Sequence, residues 1–195
     1  PLSFKLVTQF VDEVEALFDK VNFGIGLKPK FPHAATLETL LDIYSVTKNN
    51  KALDMATKML RTMAKGGIYD QIEGGFYRYS VDEKWMIPHF EKMLYTNAEL
   101  LSVYSKAYRI TKDDFFKNIV DDIISFTKIR FENSGLLYSA SDADSILNGK
   151  KEEGAYFVFG YEKTYTFLLE NGYNDKEIKN ILEYFNITKE GNFEH

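Results

Sequence analysis

Cysteine is absent from all 195 residues, which rules out disulfides, thiolate metal sites and redox dithiol motifs. Histidine is sparse: His33, His89 and His195 stand far apart, with no pair at i, i+4, so no metal site is expected. Surplus positive charge is lacking too. The net charge is −5, which disfavours wholesale nucleic-acid binding. No apolar run is long enough for a signal peptide or a membrane span, so a cytoplasmic protein without membrane partners is expected. Gly74-Gly75 neither follows a strand nor opens a helix at the spacing a phosphate-binding turn needs, and no cofactor is expected.

What remains is an ordinary soluble balance, 45% hydrophobic and 27% charged, in a length that suits one domain or a large piece of one. Aromatics are abundant at 15%, with 16 Phe and 13 Tyr. Such rings fill a core or line a concave site. The chain starts at Pro1 in a helical pattern and ends at 191–195 without a stop signal, as expected of a fragment of a longer protein.

Apolar residues recur at helical spacing through most of the chain. Leu6, Val7, Phe10, Val11, Val14, Leu17, Phe18 and Val21 predict a helix over 2–21. Leu37, Leu40, Leu41 and Tyr44 predict one over 33–47, broken by Asn49-Asn50. Leu53, Ala56, Met59, Leu60 and Met63 predict the next, closed by Gly66-Gly67 through a left-handed cap. Phe90, Met93, Leu94, Ala98, Leu101, Tyr104 and Ala107 predict a helix to about Arg109. Thr111 and Asp114 approximate a capping box for the helix carrying Phe115, Phe116, Ile119, Val120, Ile123, Ile124 and Phe126. In 131–160, segments 136–139 and 155–159 are expected to pair around a polar insert. Two shorter helices follow, the second capped by Asn174 and Glu177. The class is therefore all-α, built of repeated helical hairpins with short β-hairpins in long loops.

Two loops end alike, Lys-Phe-Pro-His at 30–33 and Met-Ile-Pro-His at 86–89. The histidines lie 56 positions apart (89 − 33). Stacked hairpins would gather these loops on one rim, where function is sought.

The sharpest stretch is 66–95. Long loops in compact domains are functional or disordered, and Tyr69, Phe76, Tyr77, Tyr79 and Trp85 argue against disorder. Phe76 to Ser80 reads as a short strand, and Pro88 suits the first turn of a new helix. His89 is then a proton-transfer candidate at a helix N-terminus, or a loop-anchoring residue. On a helix Glu91 faces away from it, toward loop backbone or Arg78, while Lys92 and Met93 share its face.

Asp142 and Asp144, if extended, point the same way and could serve acid/base work; turn chemistry is the alternative. Arg78, Tyr77, Tyr79 and Trp85 could form a sugar-binding surface, with burial of the rings as the competing reading. Lys30, between prolines, is an anion-binding candidate.

Six stretches carry a resemblance: Lys-Pro-Lys-Phe-Pro (28–32), Gly-Gly-Ile-Tyr-Asp-Gln (66–71), Gly-Gly-Phe-Tyr-Arg-Tyr-Ser (74–80), Trp-Met-Ile-Pro-His-Phe-Glu-Lys-Met-Leu-Tyr (85–95), Ser-Asp-Ala-Asp-Ser (141–145) and Gly-Asn-Phe-Glu (191–194). Together they resemble the spermatogenesis-associated, thioredoxin-domain-containing protein family. The resemblance implies part of an (α/α)6 toroid related to N-acylglucosamine 2-epimerases and six-hairpin glycosidases. It also implies a thioredoxin-like domain elsewhere in the full protein. Glu73 stands where glycine is usual, and Tyr77 where histidine is common.

Two functions are thereby expected as alternatives. One is a carbohydrate-active domain, an epimerase, isomerase or hydrolase, using His89 and Asp142 or Asp144. The other is a non-catalytic scaffold that docks a client or the thioredoxin-like domain. Self-association through exposed helix faces is also expected.

Overall fold

A computed structural model describes residues 4–147 and 149–192. The chain divides into two compact units, Pro1–Ala143 and Asp144–His195.

The first unit opens with α1 (Phe4–Leu17), which stops short of the expected position 21. The reason is local. The Asp19 carboxylate accepts the backbone N–H groups of Val21 and Asn22, which favours a turn over another helical turn. Strand β1 (Phe18–Asp19) then pairs antiparallel with β2 (Gly24–Ile25). Helix α2 (Ala34–Thr47) follows. Asn49 accepts from the Lys51 and Ala52 N–H groups and so starts α3 (Asn50–Lys65).

Gly66 ends α3 with extended backbone, φ −90°, not the left-handed cap expected from the sequence. Glycine is needed for proximity instead. A Cβ on Gly66 or Gly67 would collide with the Trp85 or Met86 carbonyl oxygen, which the loop lays against the helix end.

Two two-residue strands come next, β3 (Tyr79–Ser80) and β4 (Pro88–His89), paired with Tyr79 opposite His89. After β5 (Lys92–Met93) comes α4 (Leu94–Thr111). The helix expected near Pro88 thus starts later, and proline and histidine lie in an edge strand. Proline tolerates both settings, since neither needs its missing N–H. Asp113 rather than Thr111 caps α5 (Asp114–Phe126), accepting from the Phe115 N–H. A π-helical turn (Thr127–Phe131) then leads into a hairpin of β6 (Glu132–Asn133) and β7 (Leu136–Leu137). Strand β8 (Ala140–Ser141) returns to pair with β5.

Helices α2/α3 and α4/α5 are packed hairpins, and α2 also packs on α4. Ser102 and Lys106 of α4 reach Glu38 and Asp42 of α2 respectively. Both offsets are 64 residues (102 − 38 and 106 − 42), so the helices run parallel. The structural repeat is therefore 64, not the 56 of the Pro-His pairs. His33 occupies the position just before α2, whereas His89 lies in a strand before α4.

Leu37, Leu40, Met59, Leu60, Leu100, Val103, Phe116 and Ile123 are buried at the helix interfaces. Buried Tyr104 donates its hydroxyl to the Leu60 carbonyl at 2.6 Å, pinning α4 to α3.

In the second unit, β9 (Asp144–Leu147) pairs with β10 (Lys150–Glu153). The pairing of 136–139 with 155–159 expected from the sequence does not occur: alternation marks a strand but does not name its partner. Helices α6 (Tyr161–Glu170) and α7 (Asp175–Tyr184) follow, and Asn174 with Glu177 forms the anticipated capping box. His195 and Asn148 lie outside the described residues.

Candidate functional site

The segment between α3 and α4 is rigid because its polar groups are spent on one another. The Asp70 carboxylate accepts the Ile72 and Glu73 N–H groups, the Tyr77 hydroxyl and the Lys92 ammonium, the last at 2.7 Å. Lys92 also donates to the Gly74 carbonyl, and its side chain is only 1% exposed. Burial lowers the Lys92 pKa, and Asp70 opposes that shift. Asp82 accepts from the Lys84, Met86 and Ile87 N–H groups and from the Ser80 hydroxyl. Asn97 of α4 binds Phe76 through both N–H and C=O. None of these anchors stood out in the sequence, because isolated Asp and Asn are common in loops.

Two expected ligand contacts belong to this scaffold. Trp85 is fully buried, and its indole N–H is shared between the carbonyls of Asn22 and Phe23. Lys30 is fully buried with its ammonium 2.6 Å from Asp19. Neither presents a surface to a ligand. Tyr77 is also buried, packed edge-on to Phe90. For these rings the burial reading holds. Glu73 pairs with Arg130, which occupies the carboxylate that replaces glycine.

The outer side of the loop differs. Burial alternates from Pro88 to Met93, so Pro88, Phe90 and Lys92 point inward while His89 and Glu91 share the outer side. This reverses the helical expectation, which separated His89 from Glu91 and grouped it with Lys92. His89 Nε2 lies 3.7 Å from the Glu91 carboxylate, and Arg78 Nη1 donates to that carboxylate at 3.0 Å. Glu91, and next Tyr95, raise the Arg78 pKa. The His89 ring stacks on Tyr79 at 4.9 Å, and Tyr79 packs on Phe31 at 4.9 Å. The rings of His89, Tyr79 and Phe31 thus form a row beside a carboxylate and a guanidinium.

A cleft of about 380 Å³ opens beside this row. It lies where α2 and α4 begin, and its walls include Phe31, His33, Arg78, Tyr95, Thr96 and Glu99. The volume falls in the range of small-molecule sites, about 300–1,000 Å³. Of these residues only Arg78 had been singled out as a ligand contact. Tyr95 and Glu99, one helical turn apart on α4, were the available signal. His33 adopts a left-handed backbone, φ 47°, and its side chain does not cap α2. Although the residue is exposed overall, protein crowding around the ring lowers its pKa and favours neutral imidazole.

Asp142 and Asp144 are both exposed. Asp142 follows β8 in the first unit, and Asp144 opens β9 in the second. Among the described residues no cluster of three or more His, Asp or Glu could hold a metal ion.

No protein-family model matches the chain. Spermatogenesis-associated protein 20 of Mus musculus is 39% identical over 160 residues, which covers 78% of this chain and 20% of that protein. The chain is a relative of spermatogenesis-associated protein 20. An uncharacterized Caenorhabditis elegans protein is 37% identical over 188 residues, covering 91% of this chain and 26% of its own length. The chain thus spans about a fifth to a quarter of the curated relatives it matches.

Among solved structures, a sugar epimerase from a ruminal bacterium aligns with a TM-score of 0.62 over 90% of this chain and 50% of its own, at 17% identity. The cellobiose 2-epimerase of Spirochaeta thermophila aligns at 0.58 over 78% of this chain and 46% of its own, also at 17% identity. A Bacteroides thetaiotaomicron GH76 α-mannanase aligns at 0.50 over 86% of this chain and 46% of its own, at 16% identity. These likenesses show the fold alone: the helical hairpins of this chain match those of part of an (α/α)6 toroid. Among the described residues no helix is long and apolar enough to cross a membrane.

Proposed function

We propose that the first unit carries a sugar-handling site, with His89 as its proton-transfer group. The observation that carries this reading is the row formed by His89, Glu91 and Arg78 beside a cleft walled by an aromatic ring and polar side chains. Imidazole is the side chain suited to moving protons near neutrality. An imidazolium formed at His89 would face the same Glu91 carboxylate oxygen that Arg78 binds. The reaction class is epimerisation or isomerisation, with glycoside hydrolysis as the alternative. Tyr79 and Phe31 supply ring surface for apolar sugar faces. Asp142 is a second proton-transfer candidate in this unit, and Asp144 a candidate in the other. The sugar epimerases among the structural neighbours support the class without specifying a substrate.

The test is turnover of neutral aldoses and disaccharides, mannose and cellobiose among them, by the full-length protein in D2O. Epimerisation or isomerisation incorporates deuterium at the carbon next to the carbonyl; hydrolysis releases a new reducing end. His89→Gln is expected to abolish either signal while leaving the melting temperature in place. Equal turnover in that variant would remove His89 from the chemistry.

A second reading is a non-catalytic scaffold that holds the thioredoxin-like domain of the full-length protein. It draws on the exposed Ile129, Leu136, Leu137 and Tyr138 around the β6–β7 hairpin. Retention of that domain by the chain, with no turnover of any sugar, is the outcome that favours it. The same apolar side chains would support self-association of the isolated chain.

A further inference from the structure

The cleft contains groups of two kinds. Arg78 is committed to Glu91 and Tyr95. His33, Thr96 and Glu99 are not: among the described residues their side chains make no hydrogen bond or ion pair. Thr96 is only 6% exposed, and it lines the cleft. Among the described residues no fully buried side-chain N or O atom lacks a hydrogen bond, so the Thr96 hydroxyl keeps its access to solvent and can bond a ligand there. The start of α2 adds backbone donors. His33 provides no side-chain cap, and the first intrahelical bond is that of Leu37, so the N–H groups of Ala34, Ala35 and Thr36 remain open along the same wall.

We infer that this cleft takes an uncharged, hydroxyl-rich ligand, and that Glu99 is the residue that excludes acidic sugars and sugar phosphates. The inference rests on the sugar-handling reading above and specifies its substrate class. The argument is one of charge. Arg78 faces Glu91 at 3.0 Å, so its charge is cancelled locally. Crowding lowers the pKa of the His33 ring and so biases it toward the neutral form. The Glu99 carboxylate is left as the uncancelled charge in the wall. Helix starts attract anions, but with partial charges that fade within one turn, and here a formal negative charge stands against them. The uncommitted groups match sugar hydroxyls instead: a carboxylate accepts, open N–H groups donate, and neutral imidazole and a threonine hydroxyl do both. The ring of Phe31, 41% exposed, offers a face for the C–H side of a sugar.

The test measures equilibrium binding of three matched ligands to the full-length protein: a neutral aldose, its uronic acid and its 6-phosphate. The neutral sugar is expected to bind at least about tenfold more tightly than either anion, the scale of like-charge rejection at an interface. Glu99→Gln, an exposed change that leaves folding intact, is expected to remove most of that gap by admitting the anions. His33→Ala is expected to weaken the neutral sugar without changing the preference. Tighter binding of an anion, or a gap that survives Glu99→Gln, overturns this inference and leaves the sugar reading standing. Failure of all three ligands to bind overturns both.

Discussion

The two sides of the 66–95 loop use similar side chains to opposite ends. On the inner side, Lys92 with Asp70 and Lys30 with Asp19 are buried ion pairs, and Asp82 has four donors. On the outer side, Glu99, His33 and Thr96 line a cleft without partners among the described residues. Charge and residue type do not distinguish the sets; saturation does. A carboxylate whose lone pairs are filled by backbone N–H groups fixes a loop. One left open beside a cleft keeps its lone pairs available for a ligand's donors.

The contrast is broken most forcefully by attacking the inner side. Lys92→Met leaves Asp70 buried without its cation, and should destabilise the protein by about 3–5 kcal/mol. Denaturant unfolding measures this. A loss below 1 kcal/mol would mean that Asp70 is served well enough by Tyr77 and backbone N–H groups.

Acid is the next lever. Burial alone would raise the Asp82 pKa, but hydrogen bonds led by that of the Ile87 N–H outweigh it and hold the value below the ordinary 3.8. A depressed carboxylate contributes stability that is fully present above its unfolded value and lost as pH falls through its folded one. Acidification below about pH 4 should therefore loosen the 80–88 turn. Asp82→Asn should flatten that part of the stability profile; an unchanged acid limb would move its origin elsewhere.

Smaller effects sharpen the outer side. Glu99→Gln and His33→Ala break no internal bond, so each should alter stability by no more than about 0.5 kcal/mol while changing ligand binding. A large loss of stability in either would reclassify that residue as scaffold.

The sequence made the helices legible and the loop much less so, for a physical reason. Seven apolar positions at one period define a helix such as α5, whereas a two-residue strand has no period. Pro88 fits both the first turn of a helix and an edge strand, and the wrong choice turned Glu91 away from His89. Strand alternation then put them on one side. The pairings of 131–160 failed similarly, since β8 pairs with the distant β5, Ser141 opposite Lys92 and Ala140 opposite Met93. The glycines at 66–67 were recognised as helix-ending, but not as making room for the 85–86 backbone. The cleft was least legible because it joins the starts of two helices that are neighbours only in space. The motif that ends at Tyr95 stops one turn short of Glu99.

The open amides at the start of α2 give the most direct test of the central claim, that the cleft between the α2 and α4 starts is a neutral-sugar site. Hydrogen–deuterium exchange of the full-length protein should be followed with and without cellobiose or mannose. The account predicts slowed exchange in peptides covering 31–36 and 94–99, and little change at Asp70, Tyr77 or Val81, whose amides are already bonded. Protection absent from both helix starts, or confined to another part of the molecule, would contradict it.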